Sequence, residues 1–137
     1  MTEQKLLLAF AAAKKARDNS YSPFSNFKVG ASVVFRDSEA VYSGCNVENS
    51  SYGGTICAER SAIVSAVAAE GSKPIEAVVV VTDVETLTVP CAICLQFIAE
   101  FAYAETKIYL ADLHGIRETW DFEALLPKPF RFSKEPE

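Results

Sequence analysis

A chain of 137 residues, half of them hydrophobic and 23% charged, has enough apolar material for one compact domain over residues 1–137 and too much for a disordered chain. The net charge of −5, with no basic run, argues against a nucleic-acid partner, because sequence-independent affinity for phosphates comes from Lys and Arg. The longest apolar runs, such as AVVVV, are too short to cross a bilayer, so the expected partner is a small molecule and no membrane.

Residues 3–19 are rich in Leu, Ala and Lys and read as an amphipathic helix. A signal sequence fits this stretch less well, because Glu3 precedes the apolar part and Lys14, Lys15 and Arg17 follow it. A cytoplasmic location is therefore expected. NSYSPFSN breaks the helical pattern with Pro23 and several turn residues. KVGASVVF and AVYSGCNV, separated by the turn RDSE, predict a hairpin over residues 28–47. ENSSYGGT is a loop, and CAERSAIVSAVAAEG is a helix with Ala58, Ala62, Ile63, Ala66 and Val67 on its apolar side, closed by Gly71. IEAVVVVTD is the β-branched run of a strand buried on both faces. Pro90 marks the start of a helix over CAICLQFIAEFA, TKIYLAD is a further strand, FEALLP a short helix and RFSKEPE a polar tail. The order α-β-β-α-β-α-β plus a terminal element predicts an α/β fold, one sheet with helices on both faces.

Four cysteines in such a chain point to metal binding or catalysis rather than a disulfide framework. Cys57 opens one predicted helix, and Cys91 and Cys94 share the first turn of another. A helix N-terminus lowers a thiol's pKa, and the thiolate is the form that binds zinc. If the two helix starts lie side by side, three sulfurs can hold one ion and leave a fourth position open, which is the mark of a catalytic rather than a structural zinc site. His114, the sole histidine, would close that position if it were a ligand. A lone loop histidine is more often merely exposed. Cys45 follows Gly44 of a predicted strand rather than opening a helix and reads as a small packed side chain. Glu59 sits about 200° around the helix from Cys57, so it can face the cavity without ligating the ion. Taken alone, a first-turn Glu only complements the helix dipole. Cys-Ala-Glu followed by Pro-Cys-x-x-Cys, however, is the two-part arrangement of zinc deaminases, in which the glutamate is the general acid/base.

SYSPFSNFKVGASVV, GCNVENSSYGGTICAER, PCAICLQFIAEF and LLPKPF, in this order, resemble the conserved blocks of the small homotetrameric cytidine deaminases over nearly the whole chain. The resemblance implies a three-layer α-β-α sandwich around a mixed five-stranded sheet. It also implies zinc-dependent hydrolytic deamination of cytidine and deoxycytidine, with release of ammonia, in pyrimidine salvage. Cys57, Cys91 and Cys94 would hold one Zn²⁺ per subunit, and Glu59 would carry protons from the activated water to N3 and then to the departing amine. Asn46 and Glu48 would bind the ribose 3′-hydroxyl, Phe27 would pack on the pyrimidine, and the Ala58 N–H would meet the base carbonyl. Tyr52 and Phe130 would reach a neighbouring subunit's site, Phe130 stacking on the base. The sequence departs from the family pattern at Ala92, where Gly is common, at Leu95, where Arg is common, and at Phe24, where Tyr is usual. With Leu95 neutral, Arg60 and the helix dipoles are left to offset three thiolates.

Three other readings compete. A blasticidin S deaminase shares the zinc motifs but not the ribose-reading NVEN. A structural zinc module would need Cys45 or His114 as a fourth ligand. Thiol–disulfide exchange at Cys91-x-x-Cys94 lacks thioredoxin-like surroundings.

Overall fold

The computed structural model describes residues 1–132; five residues of the predicted polar tail, 133–137, lie outside them. The elements are α1 (Glu3–Arg17), β1 (Gly30–Phe35), β2 (Tyr42–Cys45), α2 (Ala58–Glu70), β3 (Ile75–Val81), α3 (Ala92–Ala99), β4 (Ala102–Asp112), β5 (Gly115–Asp121) and α4 (Phe122–Leu125), with one 3-10 turn at Tyr52–Gly54. The sheet order is β2-β1-β3-β4-β5. β3 and β4 are parallel and all other neighbours antiparallel, so the sheet is mixed. A parallel pair cannot be joined by a tight turn, and α3 supplies the crossover.

β3 shows why the sheet is covered on both sides. Val78 and Val80 join Ile63, Ala66, Leu95 and Ile98 in one core layer beneath α2 and α3. Ala77, Val79 and Val81 join Ala9 and Ala13 of α1 in the other. Alternate side chains leave a strand on opposite faces, so an unbroken apolar run needs two covering layers. The Thr2 hydroxyl accepts the Lys5 N–H to start α1, and Lys14, Lys15 and Arg17 complement the dipole at its end.

Two glycines set how closely helices approach the sheet. A Cβ on Gly30 would lie 2.0 Å from the Ala13 carbonyl oxygen of α1. One on Gly44 would lie 2.5 Å from both the Ala62 nitrogen and the Ser61 Oγ of α2. Only glycine allows these backbone approaches.

The structure corrects three expectations from the sequence. The hairpin strands are narrower than residues 28–47, and Val47 bridges Tyr21 and Ile56 instead of β1. α3 ends at Ala99 rather than running to residue 102. Ala102 already pairs with Ile75, and the Ile75 N–H donates to the Phe101 carbonyl at 2.9 Å. β5 is absent from the element-by-element reading. Its side chains are mostly exposed and lack apolar alternation, so only its pairing to β4 defines it.

The Glu70 carboxylate ties the end of α2 to the hairpin. It accepts from Ser38 Oγ at 2.9 Å, Tyr42 OH at 2.5 Å and Lys73 Nζ at 2.7 Å. These partners, Lys73 first, lower its pKa from 4.5 to about 2. A depressed carboxyl pKa stabilises the fold above the unfolded value, and the contribution is lost as pH falls through the folded one. Acid unfolding followed by circular dichroism should show Glu70→Gln less stable than wild type at neutral pH, with the gap closing as pH falls from 4.5 toward about 2.

Candidate active site

The N-termini of α2 and α3 meet beside the C-terminal half of β3. Cys57 is the N-cap of α2 and Cys91 the N-cap of α3, and Cys94 lies one turn into α3. Neither cap sulfur accepts a backbone N–H of its own helix, which leaves both for another use. The three Sγ atoms all lie within 4.8 Å of one another, and Cys57 Sγ is 3.9 Å from Cys91 Sγ. A tetrahedral ion with metal–sulfur bonds of about 2.3 Å requires sulfurs about 3.8 Å apart, so the cluster fits zinc.

Among the described residues no further His, Cys, Asp or Glu joins this group. His114 is exposed in the β4–β5 turn, its backbone N–H donating to Asp112 Oδ1 at 2.8 Å. Cys45 ends β2 opposite Gly30, half-buried, with its thiol pKa raised by burial. The three-ligand set is open rather than closed.

The electrostatics favour charge on sulfur. Without an ion, the Cys57 pKa falls to about 5, mainly through the Cys94 thiol that donates to it and also through Arg60. Cys94 is pushed up, by that same hydrogen bond first and then by burial. Arg60 Nη2 lies 3.5 Å from Cys57 Sγ and 3.3 Å from the Thr55 carbonyl. Its Nε is buried with no hydrogen-bond partner among the described residues. Leu95 packs into the core and offers the sulfurs nothing. Three thiolates around a divalent ion would carry one net negative charge, which the Arg60 guanidinium beside Cys57 would offset.

A cavity of about 300 Å³ opens beside the cluster. Cys57, Cys91, Ala58, Glu59, Phe27, Asn46 and Glu48 all line it. Glu59 is 5% exposed, and burial above all raises its carboxyl pKa to about 7. The Ala58 N–H belongs to the first turn of α2, where donors have no helical acceptor. Asn46 is buried, with Oδ1 accepting from Ser20 Oγ at 2.5 Å and the Val29 N–H at 2.9 Å, and Nδ2 donating to the Phe27 carbonyl at 2.7 Å. One Nδ2 hydrogen is left for a ligand. Glu48 accepts from the Phe24 and Ser25 N–H groups at 2.9 and 3.1 Å and from the Ser25 hydroxyl.

Tyr52 and Phe130 do not line this cavity. Tyr52 is 82% exposed, edge-on to Phe24, and Phe130 is 64% exposed, edge-on to Phe132. Ser25, Thr55, Val80, Thr88 and Val89 also line the cavity and were not singled out from the sequence. Ser25 stands inside a block noted for other residues. The others carry no chemical signal that marks a wall.

A sandwich whose only cluster of potential metal ligands among the described residues is three cysteines at two helix starts defines a zinc-site α/β protein. The family model described as the cytidine and deoxycytidylate deaminase zinc-binding region matches residues 3–110, and the chain belongs to this family. It is 43% identical to the cytidine deaminase of Sporosarcina psychrophila over 135 residues, 98% of this chain and 94% of that protein. It is 42% identical to that of Halalkalibacterium halodurans, over 86% of this chain and 88% of that protein. The crystal structure of cytidine deaminase from Burkholderia pseudomallei superposes with a TM-score of 0.81 at 41% identity, covering 95% of this chain and all of that one.

Replacing Cys91 with alanine should weaken zinc binding by more than about 100-fold, beyond the loss of an outer-shell partner. Metal analysis after dialysis, with circular dichroism to verify the fold, measures this. Retention of stoichiometric zinc would refute the ligand assignment.

Proposed function

We propose that the chain catalyses zinc-dependent hydrolytic deamination of cytidine and deoxycytidine to uridine and deoxyuridine, releasing ammonia, as a salvage enzyme. One observation carries the reading: the buried Glu59 carboxyl and an open three-sulfur site share the wall of one cavity. Cys57, Cys91 and Cys94 would hold a zinc ion, which would supply Lewis acidity toward the attacking water. Phe27 and Val80 offer apolar surface for the pyrimidine ring. The Ala58 N–H donates to the base carbonyl, which aims N3 and C4 inward. Glu59 takes a proton from the attacking water and delivers it to N3, making C4 electrophilic. It then takes the proton of the new C4 hydroxyl and gives it to the amino nitrogen, which leaves as ammonia while the C4 carbonyl forms. A carboxyl with a pKa near neutrality suits such two-way transfer. Arg60 keeps the thiolate cluster from over-neutralising the ion. Asn46 and Glu48 hold the sugar hydroxyl, and this contact favours a nucleoside over blasticidin S.

The functional unit in this reading is a homotetramer with shared sites. Support comes from an apolar trough of about 560 Å³ along α3, lined by Ala92, Ile93, Phe97 and Phe101, and from the exposed Phe130. The Phe130 backbone is held by the Gln96 side chain, which donates to its carbonyl at 2.8 Å and accepts its N–H at 3.1 Å. Phe130 is thereby presented outward, where a neighbouring cavity can take it. The class of chain and the net charge of −5 favour a cytoplasmic nucleoside enzyme without a nucleic-acid partner. No helix among the described residues is long and apolar enough to cross a membrane.

Glu59→Gln should keep zinc and lose about 10² to 10⁴ in kcat, the usual worth of a positioned acid/base. A cytidine absorbance assay on the metal-replete variant checks this, and near-normal turnover would remove the proton carrier. Glu59→Gln and Phe130→Ala chains should each be nearly inactive alone. Assembled together they should regain activity, because some sites then combine an intact Glu59 with a neighbour's intact Phe130. Mixtures no more active than the parents would argue against sites shared between subunits.

A further inference from the structure

Ser25 is exposed and joins neither core cluster, yet its hydroxyl sits at the centre of a polar net at the rim of the cavity. It donates to Glu48 Oε2, while the Ser25 and Phe24 N–H groups donate to Oε1. The same hydroxyl oxygen accepts the Phe27 N–H at 3.0 Å. Asn26, with φ of 58°, folds the chain back to make this contact possible. On the other side of Phe27, Asn46 Nδ2 grips its carbonyl at 2.7 Å. One hydroxyl therefore joins two residues of the cavity lining, Glu48 through its carboxylate and Phe27 through its backbone. Those hydrogen bonds, the Ser25 hydroxyl first, also hold Glu48 below its ordinary pKa and so keep it charged.

We propose that Ser25 is a positioning residue that locks the Glu48 carboxylate in place and thereby sets affinity for the sugar of the substrate. This rests on the proposed contact between Glu48 and a ribose hydroxyl. A half-buried glutamate without the Ser25 hydroxyl samples several rotamers and loses that freedom only when a ligand binds, which weakens binding. Ser25 has no part in the proton transfers of Glu59, so its removal acts on binding and not on the chemical step.

The test uses the zinc-loaded full-length protein in steady-state assays with cytidine and with its analogue lacking both the 2′ and 3′ hydroxyls. Ser25→Ala should raise KM for cytidine about tenfold with kcat changed less than about twofold, as expected for losing one charge-assisted hydrogen bond. Ser25→Thr, which keeps the hydroxyl, should recover most of the loss. On the dideoxy analogue, kcat/KM of Ser25→Ala should equal that of wild type, because the 3′ hydroxyl proposed for Glu48 is gone. Glu48→Ala is the control for the underlying contact and should raise KM for cytidine at least as much. If Glu48→Ala raises KM while Ser25→Ala does not, the positioning role is overturned and the sugar contact stands. An equal loss for Ser25→Ala on both substrates overturns it too, since the effect would not run through Glu48. An unchanged KM in Glu48→Ala overturns the sugar contact itself and the positioning role with it.

Discussion

The site depends on two helix N-termini being held side by side. Cys57 caps α2 and Cys91 caps α3, and their sulfurs come within 3.9 Å although the residues are 34 apart in the chain. Unpaired N–H groups and aligned peptide dipoles make such ends favourable for negative charge. Three thiolates gathered there would repel one another without a cation, so the same arrangement that lowers the Cys57 pKa prepares the cluster for zinc. The sheet holds the two ends in register. α2 lies on β2 through the bare backbone of Gly44, and α3 is the crossover between the parallel strands β3 and β4. A side chain at Gly44 would push α2 outward and carry Cys57 with it.

Around this metal site the protein divides its polar work between core and rim. Glu59 is buried and raised toward neutrality, which suits a group that must both accept and release a proton. Glu48 is half-exposed and held charged by donors from the 24–25 segment, which suits a group that only accepts hydrogen bonds. The two carboxylates share a cavity wall but not an environment. Arg60 is not part of the cavity lining and lies beside the cluster, its Nη2 3.5 Å from Cys57 Sγ.

The residues that carry chemistry were the most legible in the sequence. Cys57, Glu59, Cys91 and Cys94 have distinctive types at fixed spacings near recognisable helix starts, and helix starts are marked locally. β3 was legible for a similar reason, since only a strand buried on both faces tolerates an unbroken β-branched run. β5 was not, because its exposed residues draw their identity from the strand beside them. The end of α3 was misplaced because Phe101 and Ala102 are as apolar as a helix interior, and only their pairing with Ile75 makes them part of a strand. Ser25 was missed because an exposed serine in a turn has no signal until its partners are seen.

The sequence by itself determined the ligand types, the residue proposed as acid/base, the two-sided core and the family to which the chain belongs. These follow from local patterns, which survive in one dimension because a helix start or a buried strand writes its period and its caps into consecutive residues. Only the tertiary structure decided that the three sulfurs converge, that His114 and Cys45 stand apart from them, and that Leu95 faces the core instead of the metal. It also decided that one serine hydroxyl ties Glu48 to Phe27. Each of these depends on the distance between segments remote in sequence, and that distance is fixed by packing across the sheet.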